Sequence, residues 1–322
     1  MTSHPDVLVI GGGVIGLSVA WTLARDGADV TLLSDGAPGA SAAAAGMLCP
    51  SFEAMQTGGR RLAAMGARSL ALWDGFAEAL DTSDPARALG YDRGGVIGVG
   101  YAPGAVRGRA VPAPDGIAAA EGVLVAGEGQ VDPRLLLAAL TDACARAGVT
   151  TVRGRAERLD LADGAAIGAA LAGDRRVRAG RVVVAAGAGA LSPVPLVPVR
   201  GRAFLVRNVL RLTRVVRSPS VYLCPKADGA LYVGATEEAA GAARDGPAAA
   251  DGLMSEARWL APALADADVL VRFDGMRAKT PSELPVIGPY PDVAGLVLAV
   301  GLHRNGVLLA PLAARMVADA LG

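Results

Sequence analysis

The sequence predicts an α/β fold whose middle carries a second, mainly antiparallel sheet. Three observations carry this reading. A hydrophobic run, Val7 to Ile10, passes straight into Gly11-x-Gly13-x-x-Gly16, a helical pattern and another apolar run at Ala28 to Leu33. Two further runs with the character of buried parallel strands, Arg181 to Gly189 and Leu296 to Ala299, lie far down the chain. Between them, Leu205 to Thr236 alternates as half-buried strands do. The first and last elements of the nucleotide-binding layer therefore lie at the two ends of the chain, and the middle forms a cap.

The opening turn is a diphosphate site of Rossmann-like type. Gly11 permits the tight turn, Gly13 lets backbone approach phosphate, and Gly16 allows close helix–strand packing. Val14 and Ile15 open the helix that continues from Leu17 to Arg25, and its free N–H groups suit an anion. The next strand covers Asp29 to Leu33. The small residues from Ala37 to Pro50 either let backbone crowd a flat ligand or begin an alanine-rich helix capped by Ser41. Arg60 to Leu80 reads as an amphipathic helix, Gly94 to Gly100 and Gly122 to Ala126 as short strands. Asp132 and Pro133 are a good cap and first-turn residue for a helix from Arg134 to Ala147. Thr151 to Leu161 and Arg176 to Val177 read as a small side sheet, Asp251 to Leu264 as a helix, and Gly306 to Leu321 as the last helix. The expected division assigns 1–82, 131–200 and 281–322 to the nucleotide-binding domain, and 83–130 and 201–280 to the substrate domain.

Composition narrows the function classes. The chain has 31 basic and 31 acidic side chains, so nothing in its charge recruits nucleic acid. Cys49, Cys144 and Cys224 are far apart and odd in number, which gives neither a disulfide framework nor a zinc site. With only His4 and His303, a histidine metal cluster is excluded. No run of 18 apolar residues suggests a membrane span, and no signal-like segment precedes the glycine turn, so a cytoplasmic location is expected. A homo-oligomer is left open.

The discontinuous layout favours FAD over NAD, because an NAD dehydrogenase usually completes its nucleotide domain in one block. The C-terminal run from Gly301 to Pro311 offers a second glycine-mediated approach to a cofactor. A helix amino end there would stabilise negative charge on a reduced flavin. The acid that normally ends the second strand and binds ribose is missing: Ser34 holds that position, and Asp35 follows it. Ser34 is slightly favoured, with Asp35 reaching in through an altered turn as the alternative.

The ordered motifs Gly11–Gly16, Ser41–Leu48, Val131–Pro133, Val182–Gly189, Pro198–Gly201, Val221–Thr236, Met276–Pro289 and Gly301–Pro311 resemble the glycine oxidase and D-amino acid oxidase family, over essentially the whole chain. Within that family it is most similar to the bacterial glycine oxidases linked to thiamine biosynthesis. The resemblance implies FAD and oxidation of a small amino acid or secondary amine, with oxygen as electron acceptor; noncovalent FAD is expected because neither His4 nor His303 sits at a recognised attachment position. It implies FAD contacts from Gly11, Gly13, Val14, Ile15, Gly16, Ser34 or Asp35, Ser41, Ala44, Ala45, Gly46, Met47, Ala186, Gly187, Arg277, His303, Arg304, Asn305, Gly306 and Val307.

For the substrate carboxylate it implies Arg277, whose planar fork of donors suits bidentate binding, with Tyr222 as a second donor and Arg304 close by. Met47, Ser220, Glu237 and His303 are the implied pocket residues. Glu237 stands where the glycine oxidases carry a methionine and Ser220 where they carry a histidine; His303 replaces an aromatic. Glu237 either faces the pocket or turns to solvent. A flavin dehydrogenase using a quinone or protein acceptor, and a non-enzymatic dinucleotide-binding protein, remain the competing classes.

Overall fold

The computed structural model describes residues 4–37, 39–53, 55, 59–80, 84–189, 191–239 and 247–322. The expected boundary between residues 82 and 83 lies outside them.

A six-stranded sheet forms the nucleotide-binding layer. Its order is Val286–Pro289, Leu296–Val300, Arg181–Val184, Val7–Ile10 (β1), Val30–Ser34 (β2) and Thr150–Arg153. All neighbours run parallel except the first pair. β1 is buried on both faces, which is why it reads as an unbroken apolar run. Val7 and Val9 pack with α1 (Val14–Arg25) and the helices Pro133–Arg146 and Ala310–Leu321. Leu8 and Ile10 face the opposite side, against Ala166, Ala169 and Leu171 of a three-stranded antiparallel sheet. Each such large side chain contributes about 1.5–3 kcal/mol.

That side sheet corrects one expectation. The run from Thr151 to Leu161 is two strands in two sheets: Thr150–Arg153 joins the main sheet, while Ala156–Ala162 pairs with Ala165–Leu171. Gly154 separates them at φ +159, where a side chain would meet Leu171 at 2.5 Å. The strand Ala165–Leu171 was not expected because its alanines and glycine have weak strand preference.

The cap is a nine-stranded mixed sheet. Its longest pair, Val197–Arg207 with Val269–Lys279, sets Val199 opposite Arg277 and Gly201 opposite Gly275. This register carries Arg277 to the junction of the two layers.

The helix Gly59–Ala79 agrees closely with the sequence, as does Pro133–Arg146, whose Arg134 N–H donates to the Asp132 cap at 2.9 Å. Asp251 to Leu264 resolves into a helix, Pro247–Leu260, and a short turn, Pro262–Asp266. The final helix begins at Ala310 rather than Gly306; Pro311 in its first turn suits that start, and His303–Asn305 forms a separate helical turn. Ala37 to Pro50 contains no long helix: residues 40–43 are turns, and Met47–Leu48 pairs with Gly129–Gln130. Among the described residues, no helix is long and apolar enough to cross a membrane.

Candidate active site

At the end of β1 the chain turns so tightly that side chains are excluded. Gly11 has φ +121, and a Cβ there would lie 2.4 Å from the Ala185 carbonyl oxygen. One at Gly16 would lie 1.8 Å from the Gly11 carbonyl oxygen. Gly16 thus packs helix to strand and does not line the cleft. Gly13 caps α1 without a side chain, and the Val14 N–H donates to Ser41 Oγ at 3.1 Å. Ser34 Oγ accepts from Gly36 N–H at 3.1 Å, and Asp35 accepts from Ala37 N–H at 3.0 Å.

A cleft of about 970 Å³ starts here, lined by Gly11, Gly13, Val14, Ile15, Ser34, Asp35, Ser41, Ala186 and Gly187 among others. It also reaches Arg277, His303 and Gly306. A smaller cavity of about 110 Å³ shares those three residues, with Val14, Ala40 and Ser41, so the two spaces are contiguous. The smaller one is walled by Ala44, Ala45, Gly46, Met47, Tyr222, Glu237, Arg304, Asn305 and Val307, all expected, and by Cys49, Glu53, Gly201, Tyr232 and Ala235, which were not.

Ser220 is absent from both. Its side chain is exposed and donates to Glu256 at 3.1 Å. Regular alternation from Tyr222 would have pointed it inward. Instead Ser218 Oγ and the Val221 backbone close a turn, and the strand begins only at Tyr222.

Cap and nucleotide layer are clamped together around the loop at 43–46. Tyr232 donates to the Ala43 carbonyl at 2.6 Å, and the buried Lys226 ammonium donates to the Ala45 carbonyl at 2.6 Å. Burial pushes Lys226 below its ordinary pKa, offset in part by nearby Cys224 and Asp132. The turn at 303–308 is braced from behind: Ser69 and Trp73, on the long helix, both donate to the Leu308 carbonyl, at 2.6 and 3.0 Å.

Charge dominates the smaller cavity. Glu53 Oε1 accepts from Arg217 at 2.8 Å, and its Oε2 lies 3.3 Å from Arg304 Nε. Burial alone would raise the Glu53 carboxyl, but Arg304 and Arg217 together hold it below its ordinary value. Arg304 Nη1 lies 3.5 Å from Glu237 Oε2, and Glu237 Oε1 lies 3.4 Å from His303 Nε2. Glu237 therefore faces the cavity at its rim, with its side chain 43% exposed. His303 is pushed down to about 4, chiefly by burial, with Glu237 opposing and the neighbouring arginines assisting. Its imidazole is neutral at neutral pH. Burial raises the Tyr222 hydroxyl, which stays protonated and able to donate, while Cys49 is pushed up to about 12 and is no nucleophile.

Arg277 differs from Arg217 and Arg304. Its Nη1 donates to the Thr236 carbonyl at 3.2 Å, a neutral partner, and among the described residues no carboxylate pairs with it. Gly201 makes its seat: a Cβ there would fall 2.2 Å from Arg277 Nη2.

Residues 6–320 match the family model described as DAO, FAD dependent oxidoreductase. The chain belongs to that family. It is 31% identical to a bifunctional protein ThiO/ThiG of Synechocystis over 99% of this chain and 52% of that one. It thus spans about half the length of these first curated relatives. It is 30% identical to a glycine oxidase of Geobacillus kaustophilus over 99% of this chain and 93% of the relative. A crystal structure of iminodiacetate oxidase from Chelativorans superposes with a TM-score of 0.86 at 26% identity, covering 98% of this chain and 95% of that one.

The DAO-family cofactor is FAD, and this chain's residues fit it. The cleft volume lies within the range of about 300–1,000 Å³ usual for ligand sites. Its glycine cradle leaves no room for a Cβ at Gly11 or Gly12, and it runs from the start of α1 to Arg277. The sequence reading assigns no site role to Glu53, Gly201 or Tyr232, although Gly201 and Tyr232 lie inside the motifs Pro198–Gly201 and Val221–Thr236; the local signal at Glu53 is one acid after an apolar stretch.

Proposed function

We propose that the protein oxidises a small amino acid such as glycine, or a secondary amine such as sarcosine, with oxygen as electron acceptor. The products are an imine that hydrolyses to an oxo acid plus ammonia or an amine, and hydrogen peroxide. FAD held noncovalently in the cleft that runs from Gly11 and Gly13 past Ser41 to Arg277 would supply the two-electron redox chemistry.

The observation that carries this reading is Arg277: a guanidinium without a carboxylate partner among the described residues, where a small cavity meets the dinucleotide cleft. Its two parallel N–H donors hold a carboxylate in one orientation. Tyr222 lines the same cavity and offers a second donor. Fixing the carboxylate fixes the α-carbon relative to the cleft, and such positioning supplies much of what a protein contributes here. Tyr222, Tyr232 and Ala235 give the charged cavity one apolar side. Neutral His303 adds no positive charge against the substrate amine.

The test is a panel of amino acids and N-methyl amino acids mixed with the flavin-loaded protein without oxygen. Bleaching of the visible flavin band by glycine or sarcosine, followed by rapid recovery and peroxide on admitting oxygen, is the expected result. No bleaching by any member overturns the reading. Bleaching with very slow reoxidation assigns the electrons to another acceptor.

A further inference from the structure

We propose that Glu237 sets how many carboxylates a substrate can carry: by pairing with Arg304 it leaves Arg277 as the one arginine of the cavity open to an anion, and it selects monocarboxylates over dicarboxylates. This rests on the amino-acid oxidation proposed above.

Two arginines line the cavity, and their surroundings differ in kind. Arg304 lies between two acids, with Nε 3.3 Å from Glu53 and Nη1 3.5 Å from Glu237. Arg277 donates to the Thr236 carbonyl at 3.2 Å, and among the described residues no carboxylate pairs with it. The two acids are not equivalent. Glu53 is deeply buried and already shared with Arg217 at 2.8 Å, so it is fixed. Glu237 sits at the half-open rim and pairs with Arg304 Nη1, and both side chains line the cavity. Lys279, a further cation that feels Glu237, is engaged by Glu283 at 2.7 Å.

The charges lining the cavity follow from this. Arg277 and Arg304 balance Glu53 and Glu237, with His303 neutral. One carboxylate can enter against Arg277. A second must either displace Glu237 from Arg304 or lie against a like charge, and specificity of this sort comes from the repulsive element as much as the attractive one. Removing the Glu237 charge takes away one of the two acids paired with Arg304 and adds one unit of positive charge to the cavity. Glu237 lies between the strands Ala230–Gly234 and Glu238–Ala239 and belongs to neither, so its replacement changes no strand residue.

The experiment compares the flavin-loaded wild-type protein with Glu237→Gln and Glu237→Asp. Acetate and malonate are titrated without turnover, and the visible flavin spectrum is followed. The wild type is expected to bind acetate at least as tightly as malonate. Glu237→Gln should shift the ratio of the two dissociation constants about tenfold or more towards malonate. Glu237→Asp, which keeps the charge, should retain most of the wild-type preference. Anaerobic bleaching by glycine against iminodiacetate should show a shift in the same direction. A ratio that moves less than about twofold in Glu237→Gln, or equally in Glu237→Asp, overturns the proposal. A wild-type protein that binds neither anion and is bleached by no amino acid overturns the amino-acid reading as well. One that is bleached by glycine, with an unmoved ratio, overturns only the role of Glu237.

Discussion

The dinucleotide cleft and the substrate cavity meet at Arg277, yet they are made of opposite materials. The cleft is shaped by what is missing: Gly11 and Gly16 leave no room for a Cβ against the carbonyls of Ala185 and Gly11. The cavity is shaped by charged side chains brought from separate elements. Glu53 comes from a short helix, Arg217 from the cap sheet, Arg277 from a long strand, and Arg304 from the closing turn. Backbone geometry within six residues can be written as a local motif. A charge network spanning some 250 positions cannot.

This contrast can be broken by substitution, beginning with the largest expected effect. Glu53→Ala leaves Arg217 and Arg304 without their shared acid, and breaking a buried pair of this kind costs about 3–5 kcal/mol. Chemical denaturation should register that loss; a change below about 1 kcal/mol would mean the arginines find water instead. Gly16→Ala forces a methyl onto a backbone oxygen that cannot yield, and overpacking there should cost about 1–3 kcal/mol together with flavin content. Full flavin occupancy with an unchanged melting temperature would contradict the packing argument.

Arg277→Ala should leave stability nearly unchanged and raise KM for an amino acid more than about tenfold, since a charged hydrogen-bonding partner of the substrate is lost. Arg277→Lys should rescue little of it, because an ammonium lacks the fork. Unaltered kinetics toward every carboxylate substrate would remove Arg277 from the site.

A smaller effect concerns acid. His303 falls to about 4 in the folded chain from an ordinary value of 6.5, so the unfolded chain binds the proton first. Stability is full above about pH 6.5 and is lost as pH falls through the window down to about 4. Glu128 opposes this slope, because burial pushes its carboxyl up to about 6. The comparison of wild type with His303→Gln at pH 7 and pH 5 isolates the histidine: the wild type should lose more stability on acidification. Equal losses would show that His303 takes a proton in the fold.

Much of this was legible in the chain. The strand–turn–helix of Val7 to Arg25 announces itself because glycine spacing and apolar runs are local properties. Arg277, Tyr222 and Arg304 were reachable through motifs resembling a known family, and all three line one cavity. Ser220, a pocket residue on the resemblance alone, lies outside the cavity because a turn closed by Ser218 and Val221 precedes the strand at Tyr222. The final helix was started four residues early because its periodicity continues back through residues 306–309, which form turns.

The sequence by itself determined that a dinucleotide turn opens the chain, that the nucleotide-binding layer closes at the far end, and which arginine types were available for a carboxylate. Only the tertiary structure decided which arginine is open. Arg217 and Arg304 are held by Glu53, while the pairing of the two eleven-residue strands Val197–Arg207 and Val269–Lys279 sets Arg277 over Gly201, where no carboxylate among the described residues pairs with it. The reason is physical: a guanidinium's chemistry is a property of its residue type, but its free valence depends on which carboxylates folding brings within about 4 Å of it.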